Sequence, residues 1–440
     1  MIVETALAQD RLAAAVPWRV SGGVARVTPS DLEVRGLRLR IGDALAIHGR
    51  GTIAPAEVIA LTPEGARALV YGELHGIGKG DPVTVHGAGW SATVSDDLIG
   101  RVLDGLGNPI DGGPAVAGEM VEVNAPAPPA LSRRRIAEAI PTGVKALDTF
   151  CTAAKGQRIG IFGGSGVGKS TLLGMMARGT GADIAVIALI GERGREVREF
   201  LEDELGEEGM RRAIVIVATS DQPPLLRLRA ALLATRIAEW FADTGRDVLL
   251  MVDSLTRLAM AQREIGLAAG EPPTARGYTP SVFSLLARIL ERAGPRQLGT
   301  VTGFYTVLVE GDDMNDPIAD SARSILDGHV VLDRRIAVAG RYPAIDPLAS
   351  LSRLASKVVS PDRLALVDAA RDAMAAAEEV RTLVEVGAYV AGTNPAADRG
   401  LALLPSLVAF LSQPMGTTVG FAESWTELEY LRPHLTGVGS

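Results

Sequence analysis

A chain of 440 residues is too long for one ordinary domain, so two or three domains are expected. With 47% hydrophobic and 22% charged residues it can bury sizeable cores, which excludes a largely disordered polymer. Its net charge of −8 and its 4% aromatic content speak against a nucleic-acid-binding protein, which would carry a basic footprint and stacking platforms.

Mean hydropathy is positive, yet no run reaches the roughly 18 apolar residues that a membrane span requires. The start of the chain carries Glu4 and Asp10 and lacks a basic n-region, so no secretory signal is expected. One cysteine, Cys151, excludes an internal disulfide and fits a reducing cytoplasm.

Residues 1–20 read as an amphipathic helix with Leu7, Leu12, Ala13 and Val16 along one side. From Arg19 to about Val94 the pattern changes to short β-type runs: Gly23–Thr28, Leu45–His48, Ala56–Leu61, Ala68–Tyr71 and Pro82–His86. Gly, Asp and Pro punctuate them about every 10–12 residues, as in a small barrel or sandwich. Gly112–Pro129, with Pro114, Pro126, Pro128 and Pro129, has the composition of a linker. From about Arg135 to Leu354 short apolar strands alternate with helical stretches, the mark of a doubly wound α/β domain with a parallel sheet. Ile184–Ile190, Ala213–Ala218 and Val248–Val252 are rich in Val, Ile and Leu, as strands covered on both faces must be. Arg363–Gly387 and Asp398–Ser412 then read as helices. The expected division is a helix at 1–20, a β-barrel at 21–95, a nucleotide-binding α/β domain at 96–355 and a small helical domain at 356–440.

The chemistry centres on Gly163-Gly164-Ser165-Gly166-Val167-Gly168-Lys169-Ser170, a complete phosphate-binding loop between the strand Gln157–Phe162 and the helix Lys169–Arg178. Its glycines let successive backbone N–H groups converge on phosphate, and the helix start adds its positive dipole end. Lys169 is placed to neutralise the terminal phosphates of ATP, and the Ser170 hydroxyl to ligate Mg²⁺. Asp253 closes an apolar strand within VLLMVDS, where a carboxylate holding the Mg²⁺ site is expected; taken alone it would more simply be a helix cap.

Glu192, in IGERGRE, follows a strand and could polarise the attacking water. Arg193, Arg195, Glu196 and Arg198 crowd the same loop, so a solvated charge cluster is the other reading. Arg353, in PAIDPLASLSR, is read as downstream of the whole sheet, unable to reach its own phosphate loop but able to reach a neighbour's. A surface ion pair is the simpler alternative there. His48, His75, His86, His329 and His434 are scattered, with no metal-ligand spacing.

The chain resembles the catalytic subunits of rotary ATPases, and most closely the ATPases of type III protein export, over nearly its whole length. Leu98–Gly112 (LIGRVLDGLGNPIDG), Gly156–Thr171 (GQRIGIFGGSGVGKST) and Pro343–Ser352 (PAIDPLASLS) carry the broader likeness. Gly277–Gly294 and Tyr305–His329 are similar to the export ATPases in particular, and RIAEAIPTGVKALD ahead of the loop to their flagellar branch. The resemblance implies a RecA-like fold for the α/β domain. It also implies Glu192 as catalytic carboxylate, with Arg193 lining the same site. Arg353 becomes an arginine finger acting in trans, Tyr342 an adenine-stacking ring, and Thr171 the end of the nucleotide-binding loop.

The same resemblance implies a homo-hexamer with active sites between subunits, beside an export gate at the inner membrane. Its further implied partners are central stalk proteins, chaperone–substrate complexes at the helical C-terminal domain, and an inhibitory stator-like regulator on the N-terminal helix. Cys151–Lys155, Leu354–Val358 and the barrel depart from the family text, which bears on partner contacts more than on chemistry. An injectisome ATPase is the nearest alternative. A non-catalytic nucleotide-binding subunit would lack Glu192, and a Rho-like RNA translocase would need basic and aromatic residues that 20–95 does not supply.

Overall fold

The computed structural model describes residues 21–29, 31–88, 90–309, 311 and 313–436, so the expected helix at 1–20 lies outside the described residues. The chain divides into two compact units. Of the described residues, one holds those up to Trp90 together with Glu264–Glu271, and the other holds Ser91–Arg263 with those from Pro272 onward.

The first unit is built on β1 (Ser21–Val27), β2 (Leu32–Arg35), β3 (Asp43–Gly49), β4 (Thr52–Thr62), β5 (Gly65–Val70) and β6 (Pro82–Ala88). They close into a barrel in the order β1-β2-β5-β4-β3-β6. Alternation decides which side chains turn inward: in β3, Leu45 and Ile47 are buried while Ala44 and Ala46 are only partly covered. Val24, Leu32, Val34, Val58 and Val83 complete the interior. Closure leaves no sheet edge with unpaired backbone groups. The sequence pattern did not announce β2, because four residues with two apolar side chains become a strand only through pairing with β1 and β5.

The second unit is organised by one sheet. Its strands are β8 (Val102–Asp104), β10 (Arg158–Gly163), β11 (Ile184–Ile190), β12 (Ala213–Ala218), β13 (Asp247–Asp253), β15 (Thr300–Leu308), β16 (Gly328–Leu332) and β17 (Ile345–Ser352). They lie in the order β17-β16-β10-β15-β13-β11-β12-β8, with the short β14 (Gly294–Pro295) beside β15. All are parallel except β14 and β17. Every residue of β11 and β12 is buried, as their unbroken apolar text requires. A separate ribbon pairs β7 (Ser91–Val94) with β9 (Glu119–Glu122), so the stretch expected as a plain linker contains a short strand.

The expectation that PAIDPLASLSR lies downstream of the whole sheet is corrected. Ile345–Ser352 is itself the edge strand, antiparallel to β16. Pro347 hides it in the sequence, and an edge strand can tolerate the missing N–H where a central one could not.

The helices Pro361–Glu385 and Pro395–Leu411 pack so closely that a Cβ on Gly400 would come within 2.3 Å of the Ala373 carbonyl oxygen. Leu366, Leu407, Phe410 and Trp425 join the same buried cluster as Ile159 and Phe304 of the sheet. No helix among the described residues is long and apolar enough to cross a membrane.

One charge network lies inside this unit. Glu239 and Arg292 are 1% and 2% exposed, and the guanidinium grips both carboxylate oxygens at 2.7 Å. Its third arm donates to the Val123 carbonyl at 3.0 Å, tying the end of β9 to the helix Pro224–Asp243. Removing one member of a buried pair strands the other charge in low dielectric, at a cost of about 3–5 kcal/mol. Glu239→Ala should therefore lower this unit's unfolding free energy, read from a urea titration, by an amount of that size. A shift equivalent to under about 1 kcal/mol would show that the pair is dispensable.

Candidate active site

β10 ends at Gly163, and the chain turns through Gly166 (φ +76°) and Gly168 (φ +88°) before the helix Lys169–Gly179 begins. Both glycines sit in the left-handed region that side chains resist, which is why the loop needs them there. Val167 points inward and is 1% exposed, anchoring the loop, while Ser165 and Ser170 face solvent. Gly168 offers no side chain to cap the helix. The first N–H groups of that helix are therefore left for an external acceptor. The Lys169 ammonium folds back onto the loop, donating to the Gly163 carbonyl at 3.0 Å and to the Gly164 carbonyl. Thr171 faces the other way: its hydroxyl donates to Glu204 at 2.6 Å.

Asp253 ends β13 at the same edge of the sheet and is 4% exposed. Thr306 of the neighbouring β15 donates to its Oδ1. Burial raises this carboxyl above the usual range, with Thr306, Lys169 and Arg257 working in the opposite direction.

Glu192 stands two residues beyond β11. Gly191 (φ +70°) makes the turn, its N–H donating to Ala218 at 2.6 Å, and the Glu192 carbonyl accepts from Ser220 N–H at 3.0 Å. The Glu192 carboxyl is pushed up to about 8, first by burial, then by the charge of Asp253 and by a hydrogen bond to Glu196, with Arg257 opposing. A Cβ on Gly191 would meet the Arg257 stem at 2.9 Å, so this turn and the helix Leu255–Ala269 that carries Arg257 are packed directly together. Arg193 points away: its side chain is 75% exposed and only reaches Glu196, at 3.5 Å.

Tyr342 lies over the loop, its ring 3.8 Å from where a Cβ on Gly168 would be. Its carbonyl accepts from Gln413 N–H at 2.8 Å, and the Gln413 side chain in turn binds the Gly143 carbonyl and the Lys145 N–H. Arg353 is not brought to this cluster. Because β17 is antiparallel, Ser352 pairs with Gly328 at the start of β16, and the Arg353 N–H donates to the Asp327 carbonyl. The loop leaves β10 roughly 13 Å further along the strands and about two strand spacings, near 4.8 Å each, to the side.

A family model for the nucleotide-binding domain of the ATP synthase alpha/beta family matches residues 143–352, and one for the T3SS EscN ATPase C-terminal domain matches 359–430. The flagellum-specific ATP synthase of Bacillus subtilis is 48% identical over 396 residues, 89% of this chain and 90% of that protein. The Type 3 secretion system ATPase of Xanthomonas euvesicatoria is also 48% identical, over 94% of each chain. The chain belongs to the ATP synthase α/β family, in its type III export branch. Among solved structures, the assembled ATPase EscN of enteropathogenic E. coli superposes with a TM-score of 0.88 at 40% identity, covering 93% of this chain and 99% of that one. EscN in complex with its central stalk EscO gives 0.86 at 39% identity, with the same coverage.

A nucleotide-binding domain of this family uses ATP, and the donors here suit a Mg²⁺ ion held jointly with phosphate. They are one buried carboxylate, Asp253, with a second oxygen beyond the one Thr306 holds, and one exposed hydroxyl, Ser170. Among the described residues no group of three or more His, Cys, Asp or Glu forms a cage of its own. Mg²⁺ commonly takes one or two protein ligands and fills its remaining positions with water and phosphate oxygens. Sequence reasoning missed Thr306, Arg257, the proton partner Glu196 and the Gln413 support for Tyr342. Thr306, Arg257 and Gln413 act across elements that only the fold brings together, whereas Glu196 stands four residues from Glu192 and was read there only as part of a charge cluster.

The pH dependence follows from Glu192. Its folded value, about 8, exceeds the usual 4.5, so the folded state holds the extra proton between those values. Stability is thus fully present below about 4.5 and is lost as pH rises through 8. Glu192→Gln should match wild type in stability at pH 5 and exceed it at pH 9, by on the order of 1 kcal/mol after solvent screening. Thermal melts without nucleotide test this, and a constant difference across pH would contradict it.

Proposed function

We propose that the chain hydrolyses MgATP within a homo-hexameric ring and so energises flagellar type III protein export. The observation that carries hydrolysis rather than mere binding is Glu192, a carboxyl held beside Asp253 at the sheet edge where the phosphate loop begins. Lys169, Gly163–Gly168 and Thr171 would hold the phosphates, largely through main-chain N–H groups. Asp253 and Ser170 would hold Mg²⁺, which supplies charge neutralisation between the phosphates. Glu192, with a proton affinity near neutrality, would orient the water and accept its proton. Arg257 and Glu196 would tune that affinity, Arg193 would stay at the rim, and Tyr342 would stack on the adenine. Arg353 would complete the site of the next subunit, where an arginine is worth about 10³–10⁵ in rate.

The working division of the chain is a regulator-binding helix at 1–20, a barrel at 21–95, the ATPase domain at 96–355 and helices at 356–440 that meet chaperone–substrate complexes. A central stalk in the manner of EscO with EscN, an export gate and a stator-like regulator complete the proposed partners, with nucleic acid absent from them. The proposed location is the cytoplasmic face of the inner membrane, as a peripheral protein. The flagellar assignment rests on the text RIAEAIPTGVKALD, while the equal 48% identities support an injectisome role as the second reading.

Glu192→Gln should retain ATP binding and lose turnover by at least about a hundredfold, whereas Lys169→Ala should weaken both. Turnover and nucleotide-binding titrations on the purified variants test this, and wild-type turnover by Glu192→Gln would remove it from the catalytic role. Deleting the gene should abolish swimming and filament assembly. Normal swimming would transfer the assignment to the injectisome reading.

A further inference from the structure

Glu192 and the groups that would hold phosphate stand on different elements, and a side-chain contact ties those elements together. Two residues beyond Glu192 the chain enters a continuous helical strap: Gly194–Glu199, then a π-helical turn over Phe200–Leu205, then Gly206–Met210. This strap lies along the helix Lys169–Gly179, which carries Lys169 and Ser170 in its first turn. The two backbones touch at Gly174, where a Cβ would come within 2.8 Å of both the Cβ and the carbonyl oxygen of Glu204. Closer to the phosphate loop, the Thr171 hydroxyl donates to the Glu204 carboxylate at 2.6 Å.

The π-helical turn is what aims Glu204. Phe200 and Leu205 are both buried, in the same cluster as Leu172, Leu173 and Met176 of the neighbouring helix. On an α-helix, side chains five residues apart point about 140° away from each other. The wider π turn, with its i→i+5 hydrogen bonds, brings them to one face, and such turns occur mostly at functional sites. With both apolar anchors set, Glu202 and Asp203 are exposed while Glu204 is half-buried against Thr171. Its carboxylate there lies beside the positive end of the helix dipole. A hydroxyl donating to a carboxylate at such a short distance makes a charge-assisted bond, roughly twice as strong as a neutral one.

We infer that Thr171 and Glu204 are positioning residues for hydrolysis, their hydrogen bond setting the distance between the Glu192 carboxyl and the phosphate loop. This deepens the proposed role of Glu192 as the water-orienting carboxyl, and rests on it. Thr171 directly follows Ser170, and Glu204 stands twelve residues beyond Glu192 on the same strap. A shift at their contact is therefore carried by helical backbone in both directions. One direction leads to the turn that presents Lys169 and Ser170, the other to the turn that presents Glu192. A misplacement of about 1 Å between reacting groups costs on the order of a hundredfold in rate, so a bond that fixes this spacing acts on turnover. It acts little on nucleotide affinity, because in the proposed site Thr171 serves phosphate through its main-chain N–H, which a side-chain change leaves in place.

Full-length Thr171→Val, Glu204→Leu, their combination and Glu204→Gln test this. Thr171→Val and Glu204→Leu should each lower kcat about tenfold, while KM and the nucleotide Kd stay within about threefold of wild type. The combination should be no slower than either single variant, since both remove the same interaction. Glu204→Gln keeps an acceptor oxygen and should hold kcat within about threefold of wild type. Wild-type kcat in both single variants, a change in KM alone, or losses that multiply in the combination would each overturn the inference. If Glu204→Leu does not fold, the near-isosteric Thr171→Val and the rescue by Glu204→Gln carry the test. Glu192→Gln, measured beside them, separates the two readings. Wild-type turnover there removes Glu192 as the water-orienting group. An inactive Glu192→Gln beside wild-type Thr171→Val and Glu204→Leu removes only the positioning role.

Discussion

The parallel register of the central sheet is the constraint on which the rest depends. Because β10, β11, β13 and β15 run the same way, Gly163, Ile190, Asp253 and Leu308 all end at one edge. A phosphate loop, a buried carboxylate and a second carboxyl are thereby gathered from positions up to 90 residues apart, Gly163 to Asp253. The strand between β10 and β13 is not a passive spacer. It supplies Thr306, whose hydroxyl holds Asp253, so the side-chain arrangement follows from strand order as much as from the residues themselves.

That gathering has an electrostatic cost. Glu192, Asp253 and Glu196 are three carboxyls in a partly closed space, opposed by Lys169 and Arg257. Burial prevails, and both Glu192 and Asp253 hold their protons more tightly than free carboxyls do. A site in which burial disfavours charged carboxyls is one whose charge balance changes when a cation and an anion enter together. Lys169 shows the same tension from the cationic side, since its ammonium rests on the loop's own carbonyls.

What was legible in the sequence was whatever local chemistry dictates. Only glycine suits φ +76° and +88° at Gly166 and Gly168, so the loop could be read outright. The wholly buried β11 and β12 were legible as unbroken apolar runs. Even the flanking text RIAEAIPTGVKALD has a physical basis: Asp148 is fully buried and accepts from the Thr142 N–H and hydroxyl at 2.8 and 2.7 Å, fixing the turn before the next helix. What was not legible depends on distant partners. Leu32–Arg35 is a strand only because β1 and β5 flank it, and Pro347 makes β17 look like a loop. From its own neighbours Glu192 could not be told from a surface charge cluster, and only the resemblance singled it out; the fold then sets it near Asp253 and leaves Arg193 exposed.

Edge position also decides what kind of assembly can use Arg353. The antiparallel turn of β17 carries it to the amino edge, opposite the edge where the phosphate loop and Glu192 lie. For Arg353 to serve a phosphate loop, a second copy must lay its loop-bearing edge against this copy's amino edge. In the proposed ring each loop would gain one arginine from its neighbour. The strand that hides behind a proline in the sequence thus fixes the edge at which Arg353 is presented.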